Sequence, residues 1–136
     1  MIIGIDHIGL ATAEPGSLAP FLAALDFSRT DGGIAPGYLV ACEFWQRSDD
    51  PPIELVSPAG AGSVLDGHLA RRGPGLHHVA FRVDRLGPEL DRLRRAGFTA
   101  VDREPRAGAR PGMLVAFTYL PAPAGLLVEL VEYGRA

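Results

Sequence analysis

The chain carries two copies of one pattern, and that repeat limits its possible folds more than any other feature. DHIGL (Asp6–Leu10) aligns with HHVAF (His77–Phe81), which sets His7 against His78. From His7 to Phe27, at the end of AALDF, is 20 residues, and from His78 to Phe98, at the end of RRAGF, is again 20. GYLVA (Gly37–Ala41) then matches GMLVA (Gly112–Ala116). A glutamate follows 17 residues after that glycine in each copy, Glu54 in IELV and Glu129 in VELV. The offset between copies is 71 at the histidines and 75 at the glutamates, so four extra residues lie between Phe98 and Gly112. Chance supplies single matches; an ordered series at preserved spacing marks a duplicated unit.

Each copy reads as strand, helix, then three strands. Val79, Phe81 and Val83 alternate with Ala80 and Arg82, the period of a half-buried strand. The first copy predicts strands over Ile2 to Ala11, near Ile34, over Tyr38 to Trp45 and over Ile53 to Ser57, with a helix from about Ser17 to Leu25. The second predicts strands over Gly75 to Asp84, near Ala100, over Met113 to Tyr119 and over Leu126 to Glu132, with a helix from Pro88 to Ala96. Around that helix Leu86, Leu90 and Leu93 form the inward stripe, and Arg92, Arg94 and Arg95 face water. Between the copies Ser63 caps a linker helix running to Arg72, whose arginines and His68 read as a solvated face. The expected class is α+β in a single domain, with module one at about 1–58, the linker helix at about 62–72 and module two at about 75–134.

Composition narrows the function. A length of 136 residues suffices for one proper core. A net charge of −3 without a basic run argues against nucleic acid or an anionic membrane as partner. All 13 basic residues are arginine, which excludes lysine Schiff-base chemistry. Cys42 is the single cysteine and has no internal disulfide partner, which predicts a cytoplasmic setting. It lies in LVACEFW and reads as a packing residue. The opening MIIGIDHIGLAT, broken by Asp6 and His7 and lacking a basic start, does not read as a signal peptide. No apolar stretch is long enough to span a bilayer.

Four polar residues interrupt apolar strands at equivalent places in the repeat. His7 lies between Asp6 and Ile8, His78 between His77 and Val79, Glu54 between Ile53 and Leu55, and Glu129 between Val128 and Leu130. Neighbouring strand residues point to opposite faces. If the apolar neighbours face a helix-covered core, the two histidines and two glutamates project together onto the other side. A carboxylate on a dry face is costly, and two facing each other repel. A divalent cation removes both objections, and imidazole with carboxylate suits Zn, Ni, Co, Mn or Fe(II). The competing reading leaves Glu54 and Glu129 to solvent on an open sheet, with His7 and His78 as packing groups. The matched repeat positions favour the metal. By the same alternation His77 points away from His78, as a structural or supporting neighbour. Tyr119, Trp45 and Arg110 are candidates for lining the substrate side, against packing or surface roles.

The segments IDHIGLAT, IELVSPAG, HLARRGPGLHHVAFRVD and GLLVELVE resemble the vicinal oxygen chelate superfamily, also called the glyoxalase/bleomycin-resistance/dioxygenase fold. The resemblance covers nearly the whole chain and is closest to the methylmalonyl-CoA epimerases. It implies two paired βαβββ modules forming a curved, cup-like mixed sheet with helices outside, with one divalent metal (Co, Ni, Mn, Zn or Fe(II)) held by His7, Glu54, His78 and Glu129. It also implies a metal-dependent epimerase or isomerase acting through a metal-stabilised enolate, on a small molecule such as a methylmalonyl-type acyl thioester. Glu129 and Glu54 are then the acidic candidates for moving the proton. Relatives of this kind are often homodimers, which agrees with sheet edges that need covering.

Two departures qualify the branch. FTYLPAPAG (Phe117–Gly125) lacks the histidine and lysine of the Phe-Leu-His-Pro-Lys segment common in these epimerases. A glutamate proposed as base in some members falls at Val40, with Glu43 nearby but on the opposite face unless the strand bulges. Two alternatives share the fold: a glyoxalase-like lyase or other enzyme of a specialised pathway, and a non-catalytic drug-binding protein. Proteins of the latter kind do without the metal ligands, so the intact quartet counts against it. A ring-cleaving Fe(II) dioxygenase needs two histidines and one carboxylate, and a fourth ligand fills the position that oxygen requires.

Overall fold

Each copy folds as the repeat predicts. In the computed structural model, which describes residues 1–134, the first copy gives β1 (Ile2–Ala11), α1 (Pro15–Ala24), β2 (Ser28–Ala35), β3 (Val40–Gln46) and β4 (Ile53–Pro58). A linker helix α2 (Leu65–Arg72) leads to β5 (Gly75–Val83), α3 (Leu86–Arg95), β6 (Thr99–Ala100), β7 (Arg106–Ala107), β8 (Met113–Leu120) and β9 (Leu126–Tyr133). The two-residue β7 is not foreseen by the sequence reading. It lies between Phe98 and Gly112, where the second copy is longer, and is too short to show a period.

The strands form one mixed sheet in the order β2-β3-β4-β1-β5-β9-β8-β6, with β7 against β8. Within each copy the first and last strands pair in parallel, β1 with β4 and β5 with β9. The copies join through the antiparallel pair β1–β5. The four central strands β4, β1, β5 and β9 therefore carry Glu54, His7, His78 and Glu129, one each.

Alternation sorts the two faces. On the outer face, Leu86, Leu90 and Leu93 of α3 pack with Val83, Ala116, Val128 and Leu130. Each fully buried leucine contributes about 1.5–3 kcal/mol, so this stripe holds the helix. Leu22 of α1 packs against Trp45 and Leu55 in the same way. The inner face carries Val40, Cys42, Phe44, Val56, Val115 and Val131. Leu65 of α2 joins that inner cluster, so this helix packs against the inner face. The N-cap of α2 is Val64 and not Ser63, though Ser63 Oγ accepts from the Leu65 N–H at 3.2 Å.

Two other expectations change. Tyr38 precedes β3 in a turn, because Leu39 adopts the left-handed backbone region (φ 53°) before the strand begins. Arg94 is half-buried and not in water; its Nη2 donates to the Asp102 and Arg103 carbonyls at 3.0 and 3.2 Å. The second copy also reaches back to the first. Arg110 pairs with Asp31 at 2.8 and 3.1 Å, and Arg106 Nη1 donates to the Gly37 carbonyl at 2.8 Å. Gly33 permits this approach, since a Cβ there would stand 2.3 Å from the Ala109 carbonyl oxygen. Among the described residues no helix is long and apolar enough to cross a membrane.

Candidate metal centre

The four central strands bring the predicted donors to one point on the inner face. His7 Nε2 lies 3.1 Å from His78 Nε2, 3.4 Å from Glu54 Oε1 and 3.3 Å from Glu129 Oε2. His78 Nε2 lies 3.4 Å from Glu54 Oε1 and 2.8 Å from Glu129 Oε2. Oxygen and nitrogen ligands stand about 2.0–2.2 Å from a divalent ion, which puts neighbouring ligands about 3.0–3.4 Å apart. The observed spacing fits one ion.

Burial strengthens the case. Exposure is 0% for His7, 1% for His78, and 4% for each glutamate, so water does not offset the two carboxylate charges. Without a cation the imidazoles must do so. Burial alone would push His7 and His78 down, but the facing Glu54 and Glu129 outweigh it and raise both, His7 well above its ordinary value. Burial likewise favours neutral carboxyls, yet His7 and His78 hold Glu54 and Glu129 below the usual carboxylate range. The site is a preformed nest of donors that must shed protons to take a cation.

The second nitrogen of each imidazole is also engaged. His7 Nδ1 lies 2.8 Å from Asp6 Oδ1, and His78 Nδ1 lies 2.8 Å from His77 Nδ1. With Nε2 given to a cation, Nδ1 carries the proton and donates to these neighbours, which fixes each ring. The position of His77 is a correction. Simple alternation sends it to the opposite face, but Gly9 pairs with His78 while Leu10 pairs with Leu76, leaving His77 as the extra residue of a β-bulge. Asp6 is its counterpart in β1: Ile5 pairs with Phe81 and His7 with Ala80, so Asp6 has no partner across the ladder. Asp6 and His77 occupy equivalent repeat positions and both serve an Nδ1. The sequence reading missed Asp6 although the alignment set the two side by side, because a bulge is a property of pairing. Replacing Asp6 by Ala should weaken divalent-metal affinity about 10–100-fold, measured by competition with a chelating dye, while the fold persists.

An apolar cleft opens beside the donors, walled by Val40, Val56, Met113, Val115 and Phe117. Glu54, His78 and Glu129 form its polar floor, and Tyr38, Cys42 and His77 also reach it. Cys42 is packing, as expected; burial, with Glu54 beside it, pushes its thiol up and keeps it protonated. Trp45 and Tyr119 do not line the cleft. Trp45 faces outward under α1, one residue out of phase with Phe44, and Tyr119 faces a surface groove beside His68, Arg71 and Arg72. Arg110 reaches the centre indirectly. It donates to Tyr133 Oη at 3.0 Å, and Tyr133 donates to Asp6 Oδ1 at 3.2 Å. The β3–β4 ladder runs without a shift from Val40 to Trp45, so Glu43 stays on the outer face, 3.2 Å from Arg29. Val40 itself lies in the cleft wall.

Comparison with known proteins agrees with this geometry. The model of the Glyoxalase/Bleomycin resistance protein/Dioxygenase superfamily matches residues 6–117. The chain is 39% identical to the uncharacterized protein YqjC of Bacillus subtilis (strain 168) over 129 residues, covering 94% of this chain and 91% of that protein. It is 38% identical over 82 residues to the ethylmalonyl-CoA/methylmalonyl-CoA epimerase of Cereibacter sphaeroides, covering 59% of this chain and 60% of that one. The crystal structure of methylmalonyl-CoA epimerase from Mycobacterium tuberculosis superposes with a TM-score of 0.86 at 26% identity, covering 98% of this chain and 90% of that one.

Proposed function

The chain belongs to the glyoxalase/bleomycin resistance protein/dioxygenase superfamily, and on that premise we propose that it is a metal-dependent epimerase or isomerase of an acyl thioester. The observation that carries this reading is the buried set His7, Glu54, His78 and Glu129, of which Glu54, His78 and Glu129 form the floor of an apolar cleft. His7, Glu54, His78 and Glu129 would hold a divalent cation (Co, Ni, Mn, Zn or Fe(II)), which would supply a Lewis acid for charge developing on a substrate carbonyl when the adjacent carbon loses a proton. Asp6 and His77 hold the two imidazoles in orientation. The apolar walls exclude water, which strengthens each charge–dipole contact at the floor. Glu129 and Glu54 each turn one oxygen to the histidines, Oε2 and Oε1 respectively, and their carboxylates are the groups at the floor that move the proton.

The substrate class rests on the acyl-CoA names of the two epimerase relatives. The homodimer and cytoplasmic setting expected from sequence belong to the same reading. β1 pairs with β4 only from Ile8 onward and leaves Ile3 and Ile5 exposed, and Cys42 is a free thiol. Incubating the metal-loaded protein with methylmalonyl-CoA in D₂O tests the function. Deuterium should enter at the carbon alpha to the thioester and stop entering when a chelator is added. A protein that holds its metal but exchanges no alpha proton would sink the epimerase reading.

A further inference from the structure

We infer that Tyr38, backed by Asp102, is a second proton-carrying group of the cleft, working with the carboxylates at its floor. The inference rests on the isomerase reading above. An isomerase that inverts a carbon needs two proton carriers, one taking the proton and another returning it to the other face. Apart from the donors on its floor, three of the described side chains lining the cleft carry an exchangeable proton: Tyr38, Cys42 and His77. His77 is committed through Nδ1 to His78, and Cys42 is a buried thiol beside Glu54. Tyr38 is left.

Its setting is that of a relay. Tyr38 donates to Asp102 Oδ2 at 2.7 Å, and the Phe117 backbone N–H donates to the same oxygen at 2.9 Å. Arg106 Nε stands 3.4 Å from the other oxygen, Oδ1. Asp102 is 4% exposed, and a carboxylate so buried is costly unless hydrogen-bonded. Of its three partners Tyr38 is the one whose side chain both lines the cleft and carries a movable proton. The ring is held in place, with the Arg106 guanidinium 4.9 Å over its face and Phe117 edge-on at 5.5 Å. Burial, with Asp102 beside it, pushes the phenol up, so Tyr38 rests protonated.

In one direction the substrate C–H bond breaks, its electron pair stays on the carbon and carbonyl, and the proton passes to Tyr38 Oη while the phenol proton passes to Asp102. A floor carboxyl that has taken a proton from solvent then gives it to the other face of the carbon, and Asp102 loses its proton to solvent, which restores the starting state. In the opposite direction a floor carboxylate takes the proton, and protonated Asp102 feeds one back through Tyr38. No oxidant or co-reactant is needed.

The test compares metal-loaded wild type with Tyr38→Phe and Asp102→Asn, following each methylmalonyl-CoA enantiomer separately in D₂O. Asn keeps an acceptor for the Phe117 N–H, so it preserves a structural tie while removing the proton acceptor. Both variants should hold wild-type amounts of metal and epimerise about 100-fold more slowly or worse. The loss should fall on kcat and not on KM, while alpha exchange without inversion persists for one enantiomer. Wild-type epimerisation by metal-loaded Asp102→Asn would overturn the inference even if Tyr38→Phe failed to fold. A wild type that exchanges no alpha proton would instead overturn the isomerase reading on which it rests.

Discussion

Replacing His78 by Ala should abolish tight binding of a divalent cation. Elemental analysis of the untagged wild type should show about one ion per chain, because the four donors converge on one ion's coordination radius. The variant loses the central donor: His78 Nε2 is within 3.4 Å of the other three donor atoms. Removal of an outer partner costs about 10–100-fold in affinity, so loss of a direct ligand should cost at least about 100-fold. The metal-free variant should also be less stable than metal-free wild type by about 3–5 kcal/mol of unfolding free energy, since Glu54 and Glu129 then share one imidazole in a dry site.

The pH dependence has a defined sign. His7 and His78 are raised by the facing carboxylates, so protons compete with the cation up to those raised values, and wild-type affinity should climb as pH rises through them and fall as pH drops. A His78→Ala protein that keeps one ion per chain would show that the metal sits elsewhere.

A single methyl group should do nearly as much damage. Gly9 lies beside His78 across the β1–β5 ladder, and a Cβ at Gly9 would stand 2.1 Å from His78 Cε1 and 2.4 Å from Nδ1. The ring has no room to yield, because His7, His77 and Phe117 meet it edge to face with centroids 5.0–5.4 Å away. Gly9→Ala therefore either displaces His78 or parts the two central strands. Overpacking of this kind costs about 1–3 kcal/mol. The greater effect should be on the metal, with affinity falling as far as in His78→Ala although all four ligands remain. Calorimetric titration with Co or Zn on both variants would check this. Wild-type affinity in Gly9→Ala would mean that the histidine ring is not confined as the packing indicates.

Much of this site was legible in the sequence because its signals are local or repeated. Period-two alternation around Glu54 and Glu129 is set by a few adjacent residues, and the equal spacing in the two copies removed the ambiguity of any single histidine. The matching segments carried the superfamily as well. Alternation failed where the ladder is irregular. It sent His77 to the wrong face and left Asp6 unremarked, because each bulge depends on how β1 and β5 count against one another. Trp45 looked available as an aromatic beside the site, yet its phase on β3 turns it under α1.

The sequence by itself determined the duplicated unit, the order of its strands and helices, and the four residues that stand polar among apolar neighbours. These follow from spacing and periodicity, which are written along the chain. Tertiary structure alone decided that β4, β1, β5 and β9 lie side by side, so that donors as far apart as His7 and Glu129 meet within 3.3 Å. It also decided that Gly9 must lack a side chain, that Arg106 and Arg110 reach across to Gly37 and Asp31 of the first copy, and that Tyr38 meets Asp102 across 64 positions of chain. Contacts of that range depend on which strands pair and in what register, and a periodic pattern in one strand carries no information about its partner.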